Sequence, residues 1–202
     1  MSAAGNLRVL RISSLLIAAF LLSFPAYAKY SGGRGVPNDP YQIATAADLI
    51  ALSEDPNDYD KHFILTADID LDPNLPGGRV FDKAVVAPDT DPNDQHSQFQ
   101  GTAFTGVFEG NGHTIAHLMI EGVSYLGLFG HLASGAEVKG VGVADVNIAG
   151  SGSYVGGLMG SNGGTVTNCY CIGKVIGQDY IGGLVGSNGR GGSITTSYVT
   201  GA

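Results

Sequence analysis

The sequence predicts an all-β chain, a parallel β-solenoid with a short helix at its front. Three observations carry that reading. From Phe104 onward the chain repeats itself with a period in the twenties; glycine is abundant, 32 of 202 residues; and the runs between glycines are short and β-branched. One coil per repeat stacks each turn about 4.8 Å above the last, so equivalent side chains form columns. Leu128, Leu158 and Leu184 fall in one interior column, and Val138, Val166 and Ile194 in another. Gly130, Gly160 and Gly186 take corners where positive φ or close approach excludes a Cβ. The glycine density excludes helical repeats. The regular leucine spacing and asparagine ladder of a leucine-rich repeat are missing.

Residues 1–28 stand apart from this pattern. Arg8 and Arg11 precede an uncharged apolar run from Ile12 to Phe24, and Pro25-Ala26-Tyr27-Ala28 follows. These are the three parts of a secretory signal peptide cut after Ala28, with an apolar run too short to span a bilayer. A secreted or cell-surface location follows. Without Arg8 and Arg11 the chain keeps 8 Lys+Arg against 18 Asp+Glu, a formal charge of −10. Such a surface repels nucleic acid and anionic lipid, and the exported chain is expected to be soluble.

Residues 29–103 read as an N-terminal capping region. Thr45 is the N-cap of a two-turn helix with Asp48 as an imperfect capping-box partner, ended by the acidic Glu54–Asp58 cluster. At the front of a solenoid such a helix covers the first rung, whose edges are otherwise open. His62 to Leu71 reads as one strand. Asp72 to Gln100, rich in Pro, Asp and Asn, reads as a surface excursion from an early rung.

Residues 104–202 hold the repeats. Tyr125-Leu126-Gly127-Leu128-Phe129-Gly130 recurs at Tyr154–Gly160 and at Tyr180–Gly186, and Ser-Asn-Gly follows the last two copies. A second strand lies downstream of each. The last of these, Ser193 to Thr200, would present an open edge, so further repeats or domains are expected beyond Ala202, or another chain covering that edge.

Gly127-Leu128-Phe129-Gly130, Gly157-Leu158-Met159-Gly160 and Gly183-Leu184-Val185-Gly186 resemble the GLUG motif, Gly-Leu-hydrophobic-Gly. The run from Phe104 to Ile115 is similar to the F-x-G-x-F-D-G-N-G-H-x-I stretch of such proteins, with Glu109 in place of Asp. Asp39–Ile43 and Ala67–Leu71 resemble their N-terminal region. The resemblance implies a large bacterial surface or secreted protein with a right-handed β-helix, about four turns of it here. Such repeats also occur beside immunoglobulin A-cleaving metallopeptidase and haemagglutinin-like domains, neither of which is visible in this chain.

No catalytic residue is assigned. His113 and His117 have the four-residue spacing of a zinc helix, but the glutamate that a zinc peptidase uses is lacking, and Gly110-Asn111-Gly112 argues for a turn into a strand. Glu109, Glu121, Glu137 and Asp145 are scattered, whereas a polysaccharide lyase or hydrolase needs acids converging on one face. Asp68, Asp70 and Asp72 alternate like a calcium loop, as do Asp89, Asp91, Asn93 and Asp94, but no Gly-and-terminal-Glu loop follows; no cofactor is assigned, calcium at Asp68, Asp70 and Asp72 being the candidate and solvated turns the alternative. Cys169 and Cys171 point to one face of a strand and are expected as buried free thiols, not a bridge. The function that follows is a structural or adhesive module meeting a surface, glycan or protein ligand. A carbohydrate-active enzyme is the alternative.

Overall fold

The computed structural model describes residues 29–91 and 98–201. The leader read at residues 1–28, Asn93 and Asp94 of the second acidic run, and Ala202 lie outside the described residues. The chain is all-β, a parallel β-solenoid with little helix. Its first sheet stacks Tyr41–Ile43, His62–Leu65, Val107–Glu109, Glu137–Lys139, Thr165–Thr167 and Ser193–Thr195 in chain order. The second stacks Ile69–Asp70, Thr114–Ala116, Gly142–Gly150, Tyr170–Ile176 and Tyr198–Thr200, with Met119–Gly122 also pairing along Gly142–Gly150. The third joins Phe129–Leu132, Met159–Asn162 and Val185–Asn188.

Strands of all three sheets recur together in three successive coils, so the solenoid has about three turns where about four were expected. The rung before them meets the third sheet through two isolated bridges, Val86 to Phe129 and Phe104 to Leu132. The rung after them supplies strands to two sheets.

The expected columns are in register. Val138 pairs with Val166 and Val166 with Ile194. Leu128 and Leu158 are fully buried, and Leu184 packs partly buried against them. Each residue of the motif has a task. A Cβ on its first glycine, Gly157, would lie 2.0 Å from the Cys171 sulfur. The leucine and the next side chain, Met159 in this copy, fill the core. A Cβ on the closing Gly160 would come within 2.7 Å of the Tyr125 backbone in the rung below.

The corner strain, however, is not at Gly130, Gly160 or Gly186. It falls on the tyrosine that opens each copy: Tyr125, Tyr154 and Tyr180 have φ of 53°, 62° and 52°. A left-handed backbone costs a non-glycine residue roughly 1–2 kcal/mol. The three rings stack in one column, Tyr125 on Tyr154 at 4.6 Å and Tyr154 on Tyr180 at 4.8 Å, nearly parallel. Each such pair is worth about 0.5–1.5 kcal/mol beyond its burial. A tyrosine flanked on both sides thus offsets its own strain.

Other elements depart from the sequence reading. The strand read at His62 to Leu71 is two, bent between Leu65 and Ile69 so that one rung feeds two sheets. The excursion is not wholly superficial, since Ala84, Val85, Val86 and Ala87 are buried and Phe81 bridges to Ile120. A short asparagine ladder does exist: the Asn162 side-chain amide donates to the Asn188 carbonyl oxygen at 2.8 Å, and its own oxygen accepts from Gly164 N–H. Helix α1, Ala46–Glu54, carries a complete capping box. The Thr45 hydroxyl accepts from Asp48 N–H, and the Asp48 carboxylate accepts from Thr45 N–H. Leu49 and Leu52 bury its inner face.

Replacing Tyr154 separates the two effects. Tyr154→Ala keeps the strained backbone and loses both stacking partners, whereas Tyr154→Gly loses the rings but relaxes the backbone. Alanine should therefore be the more destabilising of the two, by up to about 1 kcal/mol. Urea midpoints measure it, and an alanine variant at least as stable as the glycine variant contradicts the assignment of strain to this corner.

Candidate functional site

The chain departs most from its own repeat where α1 meets the segment from Asp70 to Phe81. Between them lies a cleft of about 530 Å3. Ala47, Ile50 and Ala51 of α1 form one wall, Leu71 and Leu75 the other, and Phe81 the end. Local chemistry shapes the second wall. The Asp70 carboxylate accepts from Asp72 N–H at 2.9 Å, and the Asp72 carboxylate accepts from both the backbone and side-chain nitrogens of Asn74. These two successive side-chain turns fold the chain back on itself. Gly78 closes the loop where a Cβ would meet the Asp72 carbonyl oxygen at 2.1 Å.

The Arg79 guanidinium lies 4.8 Å over the Phe81 ring. On its far side a second cleft, of about 440 Å3, shares Glu54, Arg79 and Phe81 and is completed by Tyr59, Lys83, Pro88, Thr90 and Thr102. Volumes of this size are typical of small-ligand sites. The first cleft is mainly apolar, and Leu75 beside it is 46% exposed. The second mixes hydroxyl groups with two cations and two acids, Glu54 and Asp82. Sequence patterns gave no sign of either, because each needs α1 and the excursion side by side.

Asp68, Asp70 and Asp72 do not converge. Asp68 accepts from Thr114 N–H at 2.9 Å and faces His113 Nδ1 at 3.1 Å. Asp70 faces His117 Nδ1 at 2.8 Å. Asp72 is committed to Asn74. Calcium needs six to eight oxygens about one point, and as folded these three carboxylates do not compose such a site. Among the described residues no group of three or more His, Cys, Asp or Glu side chains is arranged to hold a metal.

These contacts set the charge states. The Thr114 amide, then His113, holds the Asp68 carboxyl below its usual range, and His117 does the same for Asp70. His117 is raised in return, chiefly by Asp70. His113 and His117 flank the strand Thr114–Ala116, so the helix on which a zinc motif depends is absent there. The other acids are dispersed. Glu109 is tied to Lys139 at 2.8 Å, directly across the first sheet, while Glu121 and Glu137 are exposed on different sheets. At the front of the chain Lys29 Nζ lies 2.5 Å from Asp55 and 2.6 Å from Asp58. The Lys29 ammonium lowers Asp55 to about 2.

Cys169 and Cys171 are buried and unbridged. The Cys169 thiol donates to the Thr167 carbonyl at 3.3 Å, and burial raises its pKa. Burial alone pushes Cys171 up to about 12.

Residues 177–202 match a family model described as the GLUG motif, so the resemblance read from the sequence is shown at that copy. Halomucin of the archaeon Haloquadratum walsbyi is 34% identical over 153 residues, covering 73% of this chain. A protein of Evansella cellulosilytica, provisionally named as a Gly-rich membrane protein, is 31% identical over 144 residues, 69% of this chain. The chain spans only 2% of the length of the first and 15% of the second. The archaeal match places the repeat outside bacteria as well. A crystal structure provisionally named as an immunoglobulin A1 protease from Bacteroides ovatus aligns with a TM-score of 0.37 at 14% identity, over 86% of this chain and 70% of that one.

Thiol accessibility checks the packing of the last complete coil. In the native protein at pH 8 neither cysteine should react with an aromatic disulfide reagent within minutes, and both should react once denaturant is added. Rapid modification of the native protein would contradict the burial of Cys169 and Cys171.

Proposed function

We propose that this chain is a structural protein of the cell surface, a stiff segment built from GLUG repeats, with its ligand-meeting surface concentrated at the α1 clefts. The observation that carries this reading is how the motif is used. Its glycines, leucines and tyrosines are all consumed in stacking one coil on the next. The names of the two relatives, a halomucin and a Gly-rich membrane protein, agree with a surface role. Among the described residues no helix is long and apolar enough to cross a membrane.

Finer points belong to the same reading. The leader at residues 1–28 directs export and is cut after Ala28, leaving Lys29 first. Residues 29–103 form the capping region, with α1 covering the first rung, and residues 104–202 form the repeat array. The coil is right-handed, as β-strand connections in one parallel sheet nearly always are. Adhesion is the working role: the clefts beside α1 take a surface, glycan or protein ligand. Catalysis of polysaccharide cleavage ranks below it, because Glu109 is paired to Lys139 and Asp70 to His117.

Two measurements test this. Amino-terminal sequencing of protein recovered from the producing cell should begin at Lys29, and protease added to intact cells should degrade it. A leader-bearing protein confined to the cytosol overturns the surface role. The protein should bind at least one member of a glycan array or a panel of cell surfaces, and Leu75→Asp with Val80→Asp should weaken that binding tenfold or more. Absence of binding across both panels would remove adhesion and leave a purely structural role.

A further inference from the structure

One side-chain cluster joins the first cleft to the repeat array. At the corner that ends the first strand segment of the second sheet, three consecutive rungs bring the side chains of Asp70, His117 and Asp145 together, His117 and Asp145 standing one position past the paired Asp70, Ala116 and Ala144. Leu71 N–H donates to the Ala116 carbonyl, and His117 N–H to the Ala144 carbonyl, so the rungs are locked in register here. His117 Nδ1 lies 2.8 Å from the Asp70 carboxylate below, and its Nε2 lies 4.0 Å from the Asp145 carboxylate above. Both ring nitrogens therefore face an acid. His117 and Asp145 sit in the left-handed region, with φ of 57° and 52°. That backbone turns each side chain outward instead of into the sheet's usual alternation.

We propose that Asp70, His117 and Asp145 form a pH-responsive clasp that ties the wall of the first cleft to the repeat array. Asp70 and Asp72 line that cleft, and the Asp70 carboxylate, accepting from Asp72 N–H, starts the turns that shape the wall. Every charged group acting on His117 is acidic: Asp70, Asp145 and, more weakly, Asp72. The neighbouring His113 belongs to Asp68. A protonated imidazolium donates to Asp70 at 2.8 Å and attracts the Asp145 carboxylate across 4.0 Å, so its charge holds both acids. A neutral ring keeps a single N–H. With that proton on Nδ1 toward Asp70, its Nε2 lone pair faces Asp145, and the upper half of the clasp is lost.

The sign follows from the raised pKa of His117. A group raised on folding stabilises the fold fully below its unfolded value, about 6.5, and that contribution disappears as pH rises through the higher folded value. The clasp is thus closed in mildly acidic surroundings and half-open in alkaline ones. All three side chains are roughly half exposed or more, so salt should weaken it.

Proton NMR titration of the histidine Cε1–H signals tests the pairing. His117 should titrate above the ordinary value, Asp70→Asn should return it toward that value, and Asp145→Asn should lower it less. Neither substitution should move His113 comparably. Amide exchange of Leu71 and His117, corrected for intrinsic rates, then tests the mechanical consequence. Protection should fall severalfold between pH 6 and pH 8.5 in the parent chain and be flat with pH in His117→Asn, since asparagine accepts the same left-handed backbone. A His117 that titrates at or below the ordinary value, or is unmoved by Asp70→Asn, overturns the clasp. So does protection with the same pH dependence in the parent and in His117→Asn.

Discussion

Parallel stacking of one coil on the next is the constraint on which the rest of the structure depends. Its hydrogen bonds fix the vertical spacing at about 4.8 Å, and that spacing makes every position a column. The tyrosine rings, 4.6 and 4.8 Å apart, stand at the backbone's own repeat distance. Columns of identical chemistry are therefore favoured wherever like groups attract at that distance. Aromatic faces do, as do amides such as Asn162 and Asn188. Like charges do not, and the column positions of the later coils are correspondingly neutral: Thr167 over Thr195, and Tyr170 over Tyr198.

The same constraint explains what was legible in the sequence. A column is visible as a repeated letter, so Gly127, Gly157 and Gly183, the leucines after them, and the valine column of Val138 and Val166 could be read off at their spacing. The capping box at Thr45 and Asp48 was legible because it is local. The corner geometry was not. A glycine advertises positive φ, but close approach can equally demand it, and Gly130, Gly160 and Gly186 answer the second need. At this corner the left-handed residues are the tyrosines, which nothing in single-residue propensity marks for that role; the stacking partner one rung away offsets the cost.

Rungs that are not copies were the least legible. Ala84 to Ala87 lie in the core, yet the stretch around them reads as a polar excursion, because one rung with no counterpart leaves no period to find. The clefts beside α1 were invisible for a related reason. They depend on two segments that are distant in sequence and share no pattern. Asp68, Asp70 and Asp72 did look like a ligand set, since alternation is all that sequence records. Folding sends their carboxylates to three different neighbours.

Charge is distributed along the axis in the same sense. Inter-rung contacts between acidic and basic side chains occur where the repeat is imperfect: Asp68 with His113, Asp70 with His117, Glu109 with Lys139. Complementary pairs can join unlike rungs, but they carry no instruction for the next rung, since a third charge must repel one of the two. Like columns do carry that instruction, because each Tyr or Asn presents the face that its successor needs. A chain that extends by repetition must therefore use neutral ladders along its length and confine charged, individual contacts to its irregular end. That is also where groups capable of discriminating a ligand, Arg79, Lys83 and Glu54, are found. Regularity and recognition are physically opposed in such a fold, and this chain separates them along one axis.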